Sequence, residues 1–169
     1  YEELEANSTR RRMEAIRRLY VFGTDSDRDA LLAAIDDQSS RRFRVIAAQI
    51  FARLDDGADV VTALEGVELD RRTMEQPFFA TFRALSRDQL GAALQGDLSG
   101  LGDRVRRILL EVAADRGVEG VGAYLEAMVD HEDLEYRLGA GRIAAAMGDE
   151  QGRALLRRLL EDEVWEVRA

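Results

Sequence analysis

Few residues in this chain have types and spacings that could do chemistry. The one histidine, His131, precedes Glu132. A His-Glu pair can contribute to an iron site, but no second histidine exists to complete one. Carboxylates alone could form a metal centre, yet none here has ligand spacing, so neither metal nor cofactor is expected. Cysteine is absent, which excludes disulfides, thiolate zinc sites and cysteine catalysis. The pairs Asp36-Asp37 and Asp55-Asp56 could serve as general acid and base. They fall at helix ends and turns, where capping and solvated charge are the ordinary roles. Gly117-Val118-Glu119-Gly120-Val121-Gly122 resembles a phosphate loop only loosely, because such a loop follows a strand and none precedes it. No catalytic residue is expected.

The arginines carry the stronger signal. All 24 basic residues are arginine, set against 33 acidic residues for a net charge of -9. Arg44, Arg106, Arg137 and Arg168 fall on a 31-residue grid, with Glu75 at the vacant point and Met13 before the first. Apolar columns share that period. One reads Phe43, Met74, Val105, Tyr136 and Val167, another Ile16, Ala47, Phe78, Leu109 and Ala140, a third Leu32, Ala63, Leu94, Leu125 and Leu156. No insertion or deletion is needed to align them. A fixed period of this length marks a repeat architecture.

Each unit reads as two helices. Phe43, Ile46, Ala47, Ile50, Phe51 and Leu54 keep the three-and-four spacing of a helix face, as do Val105, Ile108, Leu109, Val112 and Ala113. Breaks recur at Gly23-Thr24-Asp25, Asp55-Asp56-Gly57, Leu85-Ser86, Arg116-Gly117 and Gly148-Asp149, combining a stop residue with a cap. The spacing predicts A helices near 26–37, 57–68, 87–98, 118–130 and 149–161. B helices are predicted near 8–22, 41–54, 71–85, 102–116 and 133–147. Gly139 and Gly141 fall on a B helix, where small residues let neighbouring helices approach.

The stretches Leu159 to Ala169 (LLEDEVWEVRA) and the thirty residues from Asp133 resemble the short HEAT-like repeats first described in phycobilin lyases. The resemblance spans essentially the whole chain. It implies an all-α fold, a right-handed α-α superhelix of about five 31-residue helix pairs, in one domain covering 1–169. It also implies a ladder in which a turn aspartate pairs with an arginine six residues on. Asp162 and Arg168 match that pair, Asp37 precedes Arg44, and Asp130 precedes Arg137 one residue off the grid. Gly100 leaves the rung of Arg106 without its acid, Glu75 reverses the charge of another, and His131 takes a ladder aspartate's place in the turn. Val164, Trp165, Val167 and Arg168 begin another B helix, and a terminal repeat normally carries a polar cap, so further or capping sequence is expected beyond Ala169.

Charge separates by helix type. The B segments carry a net +7, leaving -16 for the A helices and turns. In such solenoids the B helices line the concave face. Arg11, Arg18, Arg42, Gln49, Arg53, Gln76, Arg104, Arg107 and Arg142 occupy polar B-helix positions and form the expected partner-binding surface. Pro77 falls inside the third B helix, where it should kink the helix and push Gln76 out of helical geometry. Either the kink opens a groove walled by Phe78, Phe79 and Phe82, or this repeat has drifted while the core compensated; the second reading is preferred.

The expected function is a non-catalytic protein-binding scaffold or adaptor holding an acidic partner segment. One alternative is nucleic-acid binding, after the HEAT-like alkylpurine DNA glycosylases; the net charge of -9, the missing lysine and 7% aromatics oppose it. Another is an enzyme like the phycobilin lyases, for which no chromophore-holding residue can be named. No membrane-spanning run and no signal peptide is evident, which favours a cytoplasmic location. The oligomeric state is not encoded in these patterns.

Overall fold

Helix boundaries in this chain are set by capping side chains and glycines. The structure, a computed structural model, describes residues 14–19, 27–35, 40–54, 57–70 and 74–168. Along them run α1 (14–19), α2 (Arg28–Ala33), α3 (Arg41–Arg53), α4 (Gly57–Leu64), α5 (Gln76–Ala84) and α6 (Arg87–Gln95). There follow α7 (Asp103–Asp115), α8 (Val121–Val129), α9 (Leu134–Met147), α10 (Glu150–Leu159) and α11 (Trp165–Arg168). Ser40, Ser86, Asp133 and Asp149 cap α3, α6, α9 and α10, each side chain accepting a hydrogen bond from a first-turn N–H. Gly117 and Gly148 adopt φ of 64° and 66°, a left-handed conformation that closes a helix and suits glycine. Ser86, Gly117 and Gly148-Asp149 are breaks the sequence pattern places at these points.

The described residues form an all-α protein. Their one β-type pairing is an isolated antiparallel bridge between Glu65 and Leu101, beside which Gly66 N–H donates to the Gly100 carbonyl at 2.8 Å. No helix among them is long and apolar enough to cross a membrane.

Packing sorts the helices by type. Helix α3 lies on α5, α5 on α7, α7 on α9 and α9 on α11, while α4 lies on α6 and α8 on α10. The B-type, odd-numbered helices thus neighbour one another, and A-type helices cover them, with α4 on α3, α8 on α9 and α10 on α9. Between the two sets sits a core in which Phe51, Leu64, Phe82, Leu90, Ile108, Leu109, Leu125 and Ile143 are fully buried. Each such side chain contributes about 1.5–3 kcal/mol by leaving water, and neither helix of a pair could bury its stripe alone.

Side chains that join separate elements reach across about one repeat. Arg28 binds Asp59, 31 residues on, with Nε at 2.5 Å from Oδ2 and NH2 donating to Oδ1 at 2.9 Å. Arg87 donates to the Gly117 carbonyl at 2.6 Å, 30 residues on, and Tyr124 donates its hydroxyl to the Leu94 carbonyl at 2.8 Å, 30 residues back. Arg116 donates to the Arg83 carbonyl at 3.0 Å, across 33 residues. Backbones approach closely at the same interval: a Cβ added at Gly57 would lie 2.1 Å from the Gln89 carbonyl oxygen, and one at Gly102 would lie 2.4 Å from that of Val67. Gly139 behaves as its sequence position predicts, since an added Cβ would press on the Arg107 side chain at 2.8 Å.

The third unit departs from expectation. Pro77 does not kink a helix, because α5 begins at Gln76 and Pro77 stands in its first turn. There its missing N–H would have had no intrahelical acceptor, so nothing is lost. Gln76 is helical, and residues 67–70 and 74–75 are irregular. The B helix predicted from 71 is therefore shortened to 76–84. Phe78 and Phe82 are buried and Phe79 packs partly exposed against the core, with the Arg83 guanidinium 5.2 Å from its ring centre.

Candidate binding surface

The grid arginines do their work inside the fold. Arg137 Nε donates to Asp162 Oδ2 at 2.7 Å and its NH2 donates to Oδ1 at 3.4 Å. Its remaining amine donates to the His131 and Glu132 carbonyls at 2.8 and 3.0 Å. Asp162 also accepts from Val164 N–H at 2.8 Å. That backbone bond and then the Arg137 guanidinium hold its carboxyl below the ordinary aspartate value. Arg106 repeats the pattern with carbonyls alone, donating to Leu98 and Leu101 at 3.2 and 2.9 Å. Asp103, 3.7 Å away, supplies the charge that Gly100 lacks. Arg168 binds the Asp162 carbonyl. Each arginine therefore clamps the turn that precedes its own helix, and Arg137 also reaches the following turn.

Two ladder expectations change. Asp130 is not the partner of Arg137; it accepts from Arg158 NH2 at 2.7 Å, and Glu126 accepts from the other amine. The two carboxylates raise the Arg158 pKa further. Glu75 binds Arg107 NH2 at 2.7 Å, and Arg107 NH1 meets Glu111 at 3.3 Å. His131 is a turn residue as expected: its ring stacks on Tyr136, its Nδ1 accepts from Asp133 N–H, and its carbonyl accepts from Arg137. Asp37, Asp36 and Asp55-Asp56 lie outside the described residues.

The odd-helix face carries two grooves that meet at Asp70. The first, about 570 Å³, runs between α3 and α5 and is lined by Arg41, Arg42, Val45, Ile46, Gln49, Asp70, Met74, Pro77 and Phe78. Five of these nine residues, Val45, Ile46, Met74, Pro77 and Phe78, are apolar. Val45 and Ile46 are half-buried, and Met74 is 75% exposed, one of only two large hydrophobic side chains so open among the described residues. Two guanidiniums and one carboxylate stand on its walls. The second groove, about 430 Å³, crosses α7 and α9. It is lined by six carboxylates (Glu68, Asp70, Glu75, Asp103, Asp133 and Glu135) against three guanidiniums (Arg104, Arg107 and Arg142), with Leu69 and Tyr136 completing the wall.

The nine predicted surface residues thus divide. Arg42 and Gln49 line the first groove; Arg104, Arg107 and Arg142 line the second. The Arg107 side chain is 12% exposed and is bound to Glu75 and Glu111. Arg104 donates to the Asp70 carbonyl at 3.0 Å. Arg18, Arg53 and Gln76 are exposed but line neither groove, Arg18 lying 3.7 Å from Glu14. Arg11 lies outside the described residues. Carboxylates outnumber guanidiniums in the second groove. Met74, Val45, Ile46 and Asp70 escaped the sequence reading. Met74 sits in a column and Ile46 on a helix face that the sequence pattern assigns to the core, and Val45 and Asp70 carry no expected role.

Among the described residues no group of three or more His, Cys, Asp or Glu side chains is arranged to hold a metal ion. No protein-family model, no curated protein and no solved structure matches this chain.

Proposed function

We propose that this chain is a non-catalytic protein-binding scaffold, a HEAT-like right-handed α-solenoid whose odd-helix face holds an acidic partner segment. The observation that carries this reading is the groove between α3 and α5, where apolar side chains including exposed Met74 share the lining with Arg41 and Arg42. Such a groove suits an extended or helical segment with one apolar anchor beside a carboxylate. Burying the anchor supplies affinity, and the guanidiniums give orientation and speed of encounter. Methionine adapts its shape to different anchors. The 31-residue period and the one-repeat reach of the cross-element contacts support the solenoid reading.

The test is affinity capture from native lysate with wild type, Arg42→Glu, Met74→Asp and Arg53→Glu. Wild type and Arg53→Glu should retain the same acidic protein, since Arg53 lines neither groove. Arg42→Glu and Met74→Asp should lose it while keeping their helical content. Retention by wild type and all three variants removes the groove from the function. Tight, salt-sensitive binding of duplex DNA by the wild type would replace the scaffold with a nucleic-acid reading.

A further inference from the structure

We infer that the segment bound on the odd-helix face is bipolar: its acidic end lies over α3, its apolar anchor enters the α3–α5 groove, and its basic end lies over α7 and α9. This rests on the proposed scaffold function and narrows its partner.

The argument begins with continuity. Asp70 lines both grooves, so a chain seated against Val45, Ile46 and Met74 and continuing along the odd helices passes directly into the second groove. The charge it meets changes sign on the way. Around the first groove, Arg41 and Arg42 outweigh Asp70. Around the second, two of the three guanidiniums are engaged, Arg107 by Glu75 and Glu111 and Arg104 by the Asp70 carbonyl, while Arg142 is exposed among six carboxylates. Glu68, Asp103, Asp133 and Glu135 are exposed beside them. The gradient is already in the composition, since the B segments fall from +4 at 41–54 through +2 and +1 to zero at 133–147. A uniformly acidic segment would gain at the first groove and be repelled at the second. Opposed fields at the two ends also fix the direction in which a segment lies, which an evenly basic face could not do.

Three fluorescein-labelled peptides of equal length with a central leucine test this by fluorescence anisotropy. One is acidic on one side of the leucine and basic on the other, one is acidic on both sides, and one is basic on both sides. The bipolar peptide should bind about three- to tenfold tighter than the all-acidic one at low salt, the ratio that two or three exposed charge pairs produce. That margin should shrink as salt is raised. In Glu135→Lys the margin should narrow or reverse, with no change in helical content. All-acidic binding equal to or tighter than bipolar, abolished by Arg42→Glu, overturns the bipolar inference and leaves the acidic-segment function standing. If no peptide binds in a manner that depends on Arg42, the groove function itself falls, and this inference with it.

Discussion

Two glycine-to-alanine substitutions, chemically identical, should move stability in opposite directions. Gly91 lies in the interior of α6, and a Cβ there would find only Val118 Cγ1, at the ordinary contact distance of 3.9 Å. Alanine restricts the unfolded chain and suits a helix interior, so Gly91→Ala should stabilise by about 0.5–1 kcal/mol. Gly57 begins α4 and faces α6. Its added Cβ would lie 2.1 Å from the Gln89 carbonyl oxygen, about 0.9 Å inside the 3.0 Å limit that real Cβ atoms respect, and 2.8 Å from the carbonyl carbon. These are backbone atoms of a packed helix and cannot rotate away. Helix α4 must back off α6, at an overpacking cost of about 1–3 kcal/mol, of which the same backbone gain offsets less than half. For a chain of this size 1 kcal/mol moves the thermal midpoint by about 2–4 °C. Gly91→Ala should therefore raise the midpoint by about 1–4 °C and Gly57→Ala lower it by about 1–8 °C, both read by circular dichroism at 222 nm. A neutral or stabilising Gly57→Ala would refute the close approach of α4 to α6. A destabilising Gly91→Ala would refute the open space between α6 and the Val118 turn.

Arg107→Met should destabilise by about 1.5–3 kcal/mol in urea unfolding, because Glu75 and Glu111 lose a charged hydrogen-bond donor on a largely enclosed side chain. Adding Glu75→Gln should recover part of that loss, and full stability in Arg107→Met alone would show the cluster to be inert. Arg137→Ala should lower the thermal midpoint, and Arg137→Lys should restore it only in part, since an ammonium cannot fork across Asp162 while also holding two carbonyls. Asp162 has a folded-state pKa below its reference value of 3.8, so its contribution is complete above that value and is lost as pH falls through the folded one. Urea midpoints measured from about pH 5 to pH 2 should fall less steeply in Asp162→Asn than in wild type.

Much of the fold was legible because the units repeat without insertion. An apolar column that recurs at fixed spacing reports burial directly, and Phe43, Ala47, Phe78, Val105, Leu109 and Ala140 are all buried. Breaks were legible for a local reason: Ser86, Gly117 and Asp149 act through their own backbone and the next turn, so neighbours elsewhere cannot overrule them. The third unit was misread because Pro77 was set against a helix assumed to begin at 71. Proline is compatible with a helix interior or a first turn only according to where the helix starts, and α5 starts one residue before it. The same late start leaves Met74 exposed in a column whose other described members are buried or packed against the core.

The binding surface was harder to read for a physical reason that bears on its function. Net charge per helix counts every guanidinium equally, whereas a partner meets only what is left after internal pairing. Arg107, Arg137 and Arg106 lie on B helices and enter the +7 total, yet their donors are directed to Glu75, Asp162 and the carbonyls of residues 98 and 101. The 31-residue spacing marks Arg106 and Arg137, but the bond from Arg107 to Glu75 crosses between elements, so sequence spacing along one helix does not reveal it. Subtracting the committed arginines leaves Arg42 beside an apolar groove at one end and exposed carboxylates at the other. An arginine on such a face can strengthen the stack or meet a partner, and the Glu75 position shows the exchange. Where the grid gives up its turn-clamping arginine for a glutamate, the next helix supplies Arg107 across the interface, and that guanidinium is withdrawn from the outward face. One substitution on the grid therefore alters both the bonds between units and the charge left for a partner, which makes the irregular third unit the point at which the two grooves acquire different chemistry.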